Sequence, residues 1–77
     1  MYLGDFMERI IINGEYITLA QLLKVLSYIS SGGQAKYFLA DNKIFVNNKL
    51  EQKRGKKIYD KDIVKIDEKE YLIIDES

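Results

Sequence analysis

The first part of the chain combines a short apolar run with a turn signal. The run from Met7 to Ile12 ends in three isoleucines, which predicts a strand. Asn13-Gly14 follows and is typical of a type I′ turn leading into residues 15–17. We therefore expect a first strand with a short hairpin return. Residues 1–6 show little pattern and are expected to form a loose end.

A helical repeat begins directly after this turn. Thr18 is a favourable N-cap residue, and Gln21 stands three positions later, as a capping box requires. Ile17 and Leu22 occupy the two positions of a hydrophobic staple. The spacing predicts a helix over residues 19–29. Its buried stripe is predicted to consist of Leu19, Leu22, Leu23, Leu26 and Ile29.

A second helix is predicted over residues 33–41. Ser31 and Gln34 repeat the capping pattern, and Asn42 suits a left-handed cap at the other end. The inward face is predicted to consist of Ala35, Phe38 and Leu39.

The start of this second helix contains two glycines, Gly32 and Gly33. Glycine lowers helix stability, so their presence there needs a reason. Two reasons are open at this point. The glycines could let two closely joined helices pack at a large angle, or their bare N–H groups could meet a phosphate.

Short apolar runs in the second half predict further strands around tight turns. Asn47-Asn48 indicates a tight turn between two of them. Residues 52–57 contain no apolar side chain and are predicted to form a solvated loop. We expect the last strand to lie alongside the first. The predicted strands are 44–46, 49–51, 58–59, 63–66 and 71–74.

Composition narrows the chemistry that is available. The chain has no cysteine and no histidine, which removes disulfides, thiolate chemistry, the commonest zinc ligands and the commonest general base. Asp60 with Asp62 and Glu68 with Glu70 are close in sequence, but each pair falls in a predicted turn, where carboxylates are ordinary. We expect no enzyme activity, no cofactor and no metal.

The composition and the apolar runs of the chain also suggest where in the cell the protein acts. A chain without cysteine fits a reducing cytoplasm. The start lacks the basic and apolar segments of a signal peptide, and no apolar run is long enough to span a membrane. We expect a cytoplasmic protein without a membrane partner.

Charge is distributed unevenly along the chain, although the net charge is zero. Residues 36–57 contain seven lysines and arginines against two carboxylates, a net charge of +5, and the remainder therefore has −5. The densest part is Lys53, Arg54, Lys56 and Lys57. A basic surface on a small domain is a candidate phosphate-binding face, although such a run can also be a merely solvated turn.

Two tyrosines lie beside these charges. Tyr37 and Tyr59 each neighbour a lysine, an arrangement that permits base stacking. A tyrosine next to a charged turn more often lies at the edge of the core with its hydroxyl in water, and we favour that interpretation.

Several motifs in this order resemble the S4 RNA-binding domain, in particular the small stand-alone S4-like proteins of bacteria. The resemblance covers roughly residues 16–66. The motifs are Ser31-Gly32-Gly33-Gln34-Ala35-Lys36, Val46-Asn47-Asn48, Arg54-Gly55-Lys56-Lys57 and Asp62-Ile63-Val64. Many S4 domains have an arginine at the start of each helix, where this chain has Thr18 and Gly32, and Lys61 stands where glycine is usual.

The resemblance implies an α+β fold in which two helices at a steep angle pack on a small, mostly antiparallel sheet. Because 77 residues leave room for only one core, we expect one S4-like domain over residues 1–77. RNA contacts in the family come from the starts of both helices and from the basic loop. Together with the charge pattern and the two glycines, this nominates Thr18, Lys24, Gly32, Gly33, Lys36, Lys53, Arg54, Lys56 and Lys57.

The expected function is non-catalytic binding of structured RNA, with ribosomal RNA or a ribonucleoprotein as the partner. An adaptor whose +5 face docks an acidic protein is the alternative, and DNA binding is a weaker one. Competition between double-stranded RNA and an acidic polypeptide would separate the first two.

Overall fold

The computed structural model describes residues 7–77, and the expectations for residues 1–6 lie outside that range. The described part has strands β1 (Met7–Ile12), β2 (Tyr16–Thr18), β3 (Ile44–Val46), β4 (Lys49–Glu51), β5 (Lys57–Tyr59), β6 (Ile63–Ile66) and β7 (Lys69–Asp75). The helices are α1 (Leu19–Val25) and α2 (Ala35–Asp41), with a 3-10 turn at Gly32–Gln34 before α2. This confirms the α+β class.

Five strands form the main sheet in the order β1-β7-β6-β3-β4, and β2 pairs with β5 in a separate two-stranded ribbon. Every pair is antiparallel except β1 with β7, which is parallel. The expected place of the last strand beside the first is confirmed. The Asn47-Asn48 turn is also confirmed, since both residues have positive φ, at 52° and 70°, as a type I′ turn requires.

The predicted hairpin return after β1 is wrong. At Gly14, whose φ is 137°, the chain leaves the sheet instead of folding back on β1. The next strand, β2, pairs with β5 and feeds directly into α1. The pairing of β2 is therefore determined by β5, far along the chain, and not by the local Asn13-Gly14 turn signal.

One core joins the helices to the inner face of the main sheet. Leu19, Leu22 and Leu23 of α1 are fully buried and contact a continuous cluster that includes Leu39 of α2. The strands contribute Ile44, Val46, Ile58, Val64, Ile66, Tyr71 and Ile73. The Tyr28 hydroxyl lies 2.8 Å from that of Tyr71, and burial with this hydrogen bond raises the pKa of Tyr71. The helices are thus fixed to the sheet by apolar packing and by one hydroxyl pair.

The other face of the main sheet is not covered by a helix within residues 7–77. Met7 and Ile11 of β1 and Leu50 of β4 are 37%, 48% and 50% exposed. In the strand register they share this face with Phe45 and Lys65, which are partners on β3 and β6. Both helices of the described part therefore pack on the same face of the main sheet. No helix among residues 7–77 is long and apolar enough to span a membrane.

The first helix ends four residues earlier than predicted, at Val25. Ser27 adopts a φ of 67°, its N–H donates to the Lys24 carbonyl, and Tyr28 N–H donates to the Leu23 carbonyl. These two bonds make a Schellman motif, which usually places glycine where Ser27 stands. Ile29 is buried as predicted, but it belongs to the segment after the helix.

Both predicted caps of the second helix are wrong. Ser31 makes no side-chain cap, and the Gln34 side-chain carbonyl accepts from the N–H and hydroxyl of Ser30 instead. Asn42 is extended, with φ −132°, and both its backbone N–H and its side-chain amide donate to the Phe38 carbonyl. Its side chain therefore satisfies the last turn without a left-handed residue.

We expect Leu23→Ala to lower the free energy of unfolding by about 2–5 kcal/mol, because it leaves a cavity in the helix–sheet core. Val25→Ala, two residues along the same helix, should change it by about 0.5 kcal/mol or less, since Val25 is 63% exposed. Urea unfolding followed by circular dichroism measures both values. Equal stability of the two variants would contradict this assignment of the buried face.

Candidate nucleic-acid interface

The basic loop, residues 53–57, is docked by its backbone on the start of α1, and its last residue, Lys57, is also the first residue of β5, where the sequence predicted a loop. Leu19 N–H donates to the Lys56 carbonyl over 2.8 Å, and Ala20 N–H donates to the Arg54 carbonyl over 2.9 Å. Lys56 N–H closes a turn on the Lys53 carbonyl at 3.1 Å. These bonds hold the loop backbone in one conformation.

The third free N–H group of the helix start is satisfied by Thr18. Its hydroxyl accepts from Gln21 N–H, while the Gln21 side chain accepts from Thr18 N–H, so the predicted capping box is confirmed. The first donors of α1 are therefore used within the protein. An anion at this end of α1 would have to be met by side chains rather than by helix N–H groups.

All five residues of the basic loop are exposed. Since the carbonyls of Arg54 and Lys56 are turned toward α1, the fold leaves the side chains of the loop to solvent. Lys36 of α2 and Gln52, next to the loop, line one small hollow of about 240 Å³. Lys36 thus shares a hollow with Gln52, the residue before the loop, and the shared basic face stays a prediction.

A second, more enclosed cavity of about 340 Å³ lies between the loop and the β3–β4 hairpin. Its positive groups are Lys49, Lys56 and Lys57, and the Tyr59 ring also lines it. Lys49 was not among the residues nominated from the sequence. It belongs to the basic window, but only the turn between β3 and β4 places it opposite the loop.

An exposed aromatic pair adjoins this cavity. Tyr16 and Tyr59 are cross-strand partners on the β2–β5 ribbon, with ring centroids 5.9 Å apart. The Lys57 ammonium lies 4.8 Å from the centroid of the Tyr16 ring, a cation–π contact. Sequence reasoning missed Tyr16, because its partner strand is about forty residues away and no local pattern gives the register.

Lys24, Gly32 and Gly33 lie apart from this cluster. Lys24 lines two shallow hollows, one with Ile17 and one that extends to Gln34, and no residue of the basic loop lines either. Both glycines are exposed, and a Cβ added to Gly32 would meet no atom within 4 Å. At Gly33 the nearest atom would be the Ser31 hydroxyl at 4.0 Å. Close packing therefore does not explain the glycines.

One of the two carboxylate pairs of the predicted turns, Asp60 with Asp62, has structural partners. Asp62 accepts from the Asn47 amide at 3.0 Å and from Tyr59 N–H at 2.8 Å, which ties two turns together. Asp60 accepts from Asp75 N–H at 2.8 Å. Within residues 7–77 no three acidic groups converge as a metal site would need. Both aspartates thus act in the scaffold.

A model of the S4 domain family matches residues 10–74, which is most of the chain. The chain belongs to the S4 domain family. A curated relative, the probable ribosome maturation protein RlbA of Bacillus subtilis, is 45% identical over 56 residues, which cover 73% of this chain and 79% of that protein. The matched region therefore extends beyond residues 16–66, over which the sequence resembles the family, into β1 and β7.

Replacing Thr18 tests how the loop platform is built. Thr18→Ala should lower the free energy of unfolding by about 0.5–2 kcal/mol, because Gln21 N–H loses its acceptor at the point where the basic loop docks. Thr18→Ser keeps the hydroxyl and should stay close to the parent. Thermal and urea unfolding measure the difference, and equal losses in the two variants would show that the methyl group, not the cap, matters.

Proposed function

We propose that this S4 domain binds structured RNA of the ribosome or of a ribosome precursor, and that it does so without catalysing a reaction. The observation that supports this most directly is the docked basic loop. Its backbone is held by α1 while Lys53, Arg54, Lys56 and Lys57 face solvent. A cationic loop that is already ordered loses less conformational entropy when it binds a polyanion than a free loop does.

Under this proposal the cations of the window act as one surface. Lys36 borders the hollow next to Gln52, and Lys49, Lys56 and Lys57 line the cavity beside the loop. With Lys43, Lys53 and Arg54 they are the seven positive residues of the window. Phosphates of a folded RNA would lie along this surface. Because phosphate contacts position a nucleic acid without identifying bases, recognition would rest mainly on RNA shape.

The roles of the nominated residues differ under this proposal. Arg54, Lys53, Lys56, Lys57 and Lys36 hold phosphates. Thr18 acts through the capping box that supports the loop, and Gly32, Gly33 and Lys24 would meet RNA that extends past the helices.

The ribosomal assignment is supported by the relative. A protein that shares 45% of its residues over 56 positions has the name probable ribosome maturation protein. The absence of catalysis is supported by the chemistry of the chain, which has no histidine or cysteine and uses Asp60 and Asp62 as turn acceptors. We infer one domain over residues 1–77 that acts in the cytoplasm by binding alone.

The test is a charge reversal in the loop. Replacing Arg54, Lys56 and Lys57 together by Glu changes the window from +5 to −1. The affinity for a labelled ribosomal RNA hairpin, measured by fluorescence anisotropy, should fall at least about tenfold, because each lost contact removes counterion release. The melting temperature should stay near that of the parent, since the loop docks through carbonyls that the substitutions keep.

The chain offers a matched control. Replacing Arg9, Lys61 and Lys69 together by Glu changes the charge by the same amount, and these exposed residues lie outside the basic window. This variant should keep most of the affinity. An equal loss in both variants would mean that RNA responds to overall charge and not to this face.

Salt provides a second measurement on the parent protein. If four to six phosphates are engaged, the slope of log K against log salt should be about −3 to −5, and it should be shallower in the loop variant. Parallel titrations with a DNA hairpin and an acidic polypeptide identify the partner. Preference for the polypeptide would favour the adaptor alternative and overturn the proposal.

A further inference from the structure

The outer side of the β2–β5 ribbon is an aromatic surface inside the basic face. Tyr16 pairs with Tyr59 and Thr18 pairs with Lys57, so these four residues share one side of the ribbon. Ile17 and Ile58 alternate with them, and Ile58 is fully buried on the opposite side. Both tyrosines are 42% exposed, which is more than a tyrosine needs if only its hydroxyl is to reach water.

The two rings are not equivalent. Lys57 lies over the Tyr16 ring, with its ammonium 4.8 Å from the centroid, so this face of Tyr16 is already occupied. The planes of Tyr16 and Tyr59 are inclined at 52°, so the rings do not stack on each other face to face. Tyr59 is the ring that lines the cavity beside the loop. It is therefore the one placed to accept a planar ligand.

The cavity offers both kinds of contact that a nucleotide needs. Its volume of about 340 Å³ lies at the small end of ligand-binding clefts. Lys49, Lys56 and Lys57 supply positive charge around the Tyr59 ring. A phosphate and a flat base, joined through a sugar, match a cluster of ammonium groups next to an aromatic ring.

Two carboxylates, Glu51 and Asp62, also line this cavity and lower its net positive charge. Asp62 accepts from Asn47 and from Tyr59 N–H, and Glu51 accepts from Lys53 N–H at 3.0 Å. These hydrogen bonds hold both groups to the protein. Three ammonium groups against two carboxylates leave one positive charge, which suits a single phosphodiester.

The geometry points to a binding site for one unpaired nucleotide of the RNA, with its base stacked on Tyr59 and its phosphate held by Lys49, Lys56 and Lys57. This inference rests on the proposed function. Paired bases are stacked within their own helix and expose no face, so only a bulged or looped-out nucleotide can enter. The site would direct this S4 domain to a junction, bulge or loop in a structured RNA.

The experiment compares two RNAs that differ by one nucleotide. One is a fully paired hairpin stem, and the other is the same stem with a single bulged 2-aminopurine. The parent should bind the bulged RNA more tightly and change the fluorescence of the bulged base. Tyr59→Leu should lose about 5- to 100-fold in affinity for the bulged RNA and little for the paired one. Tyr59→Phe should behave like the parent.

Tyr37→Leu is the matched control, because Tyr37 is 68% exposed and also neighbours a lysine, but does not line the cavity. It should leave the preference for the bulged RNA intact. If Tyr59→Leu weakens both RNAs equally, Tyr59 is a scaffold residue and the inference fails. If the parent binds both RNAs alike, the inference fails while the proposed function stands. If the parent binds neither, the proposed function itself is overturned.

A crosslink on the unaltered protein covers the case in which Tyr59→Leu does not fold. The bulged nucleotide is replaced by 5-iodouridine, and the complex is irradiated. The peptide attached to the RNA is then identified by mass spectrometry. Attachment at Tyr59 is the expected result, and attachment only outside the cavity would contradict it.

Discussion

The docking of the basic loop on the first turn of α1 is the interaction on which the rest of the surface depends. A helix start has N–H groups without partners, and here two of them donate to the carbonyls of Arg54 and Lys56 while Thr18 serves a third. The loop has no apolar side chain that could anchor it in the core. Each element thus supplies what the other lacks. The helix gains acceptors, and a highly charged segment gains a fixed backbone.

This docking also determines which groups near the start of α1 can bind an anion. A helix start often binds phosphate through its free N–H groups, but at α1 these are used by the loop carbonyls and the Thr18 hydroxyl. The positive end of the helix therefore stabilises the loop, and the proposed contacts with nucleic acid fall to the lysine and arginine side chains. Binding through long cationic side chains favours recognition of the spacing of phosphates over recognition of a single anion.

Some local features could be predicted from the sequence, and so could the place of β7 beside β1, but the pairing of β2 with β5 and both ends of α2 could not. The capping box at Thr18 and the turn at Asn47-Asn48 are local, and both predictions are confirmed. The end of α1 was missed because Ser27, a residue with no marked preference for positive φ, takes the position usual for glycine. For the site, the charges were visible in sequence. The juxtaposition of Tyr16 with Tyr59 was not, because it follows from the pairing of β2 with β5.

The structure argues against one of the two explanations for the glycines before α2, namely close helix packing. The packing explanation requires a neighbour that a side chain would strike, yet a Cβ at Gly32 meets nothing within 4 Å and neither glycine has positive φ. Glycine there lowers the stability of the turn without a steric gain inside residues 7–77. The donors of this turn are the N–H groups of Ser30, Gln34 and Ala35, and Gly32 takes part through its carbonyl, which accepts from Ala35 N–H. Approach of a ligand to the bare backbone stays a prediction, under which Gly32 and Gly33 would meet RNA that extends past the basic loop to the second helix.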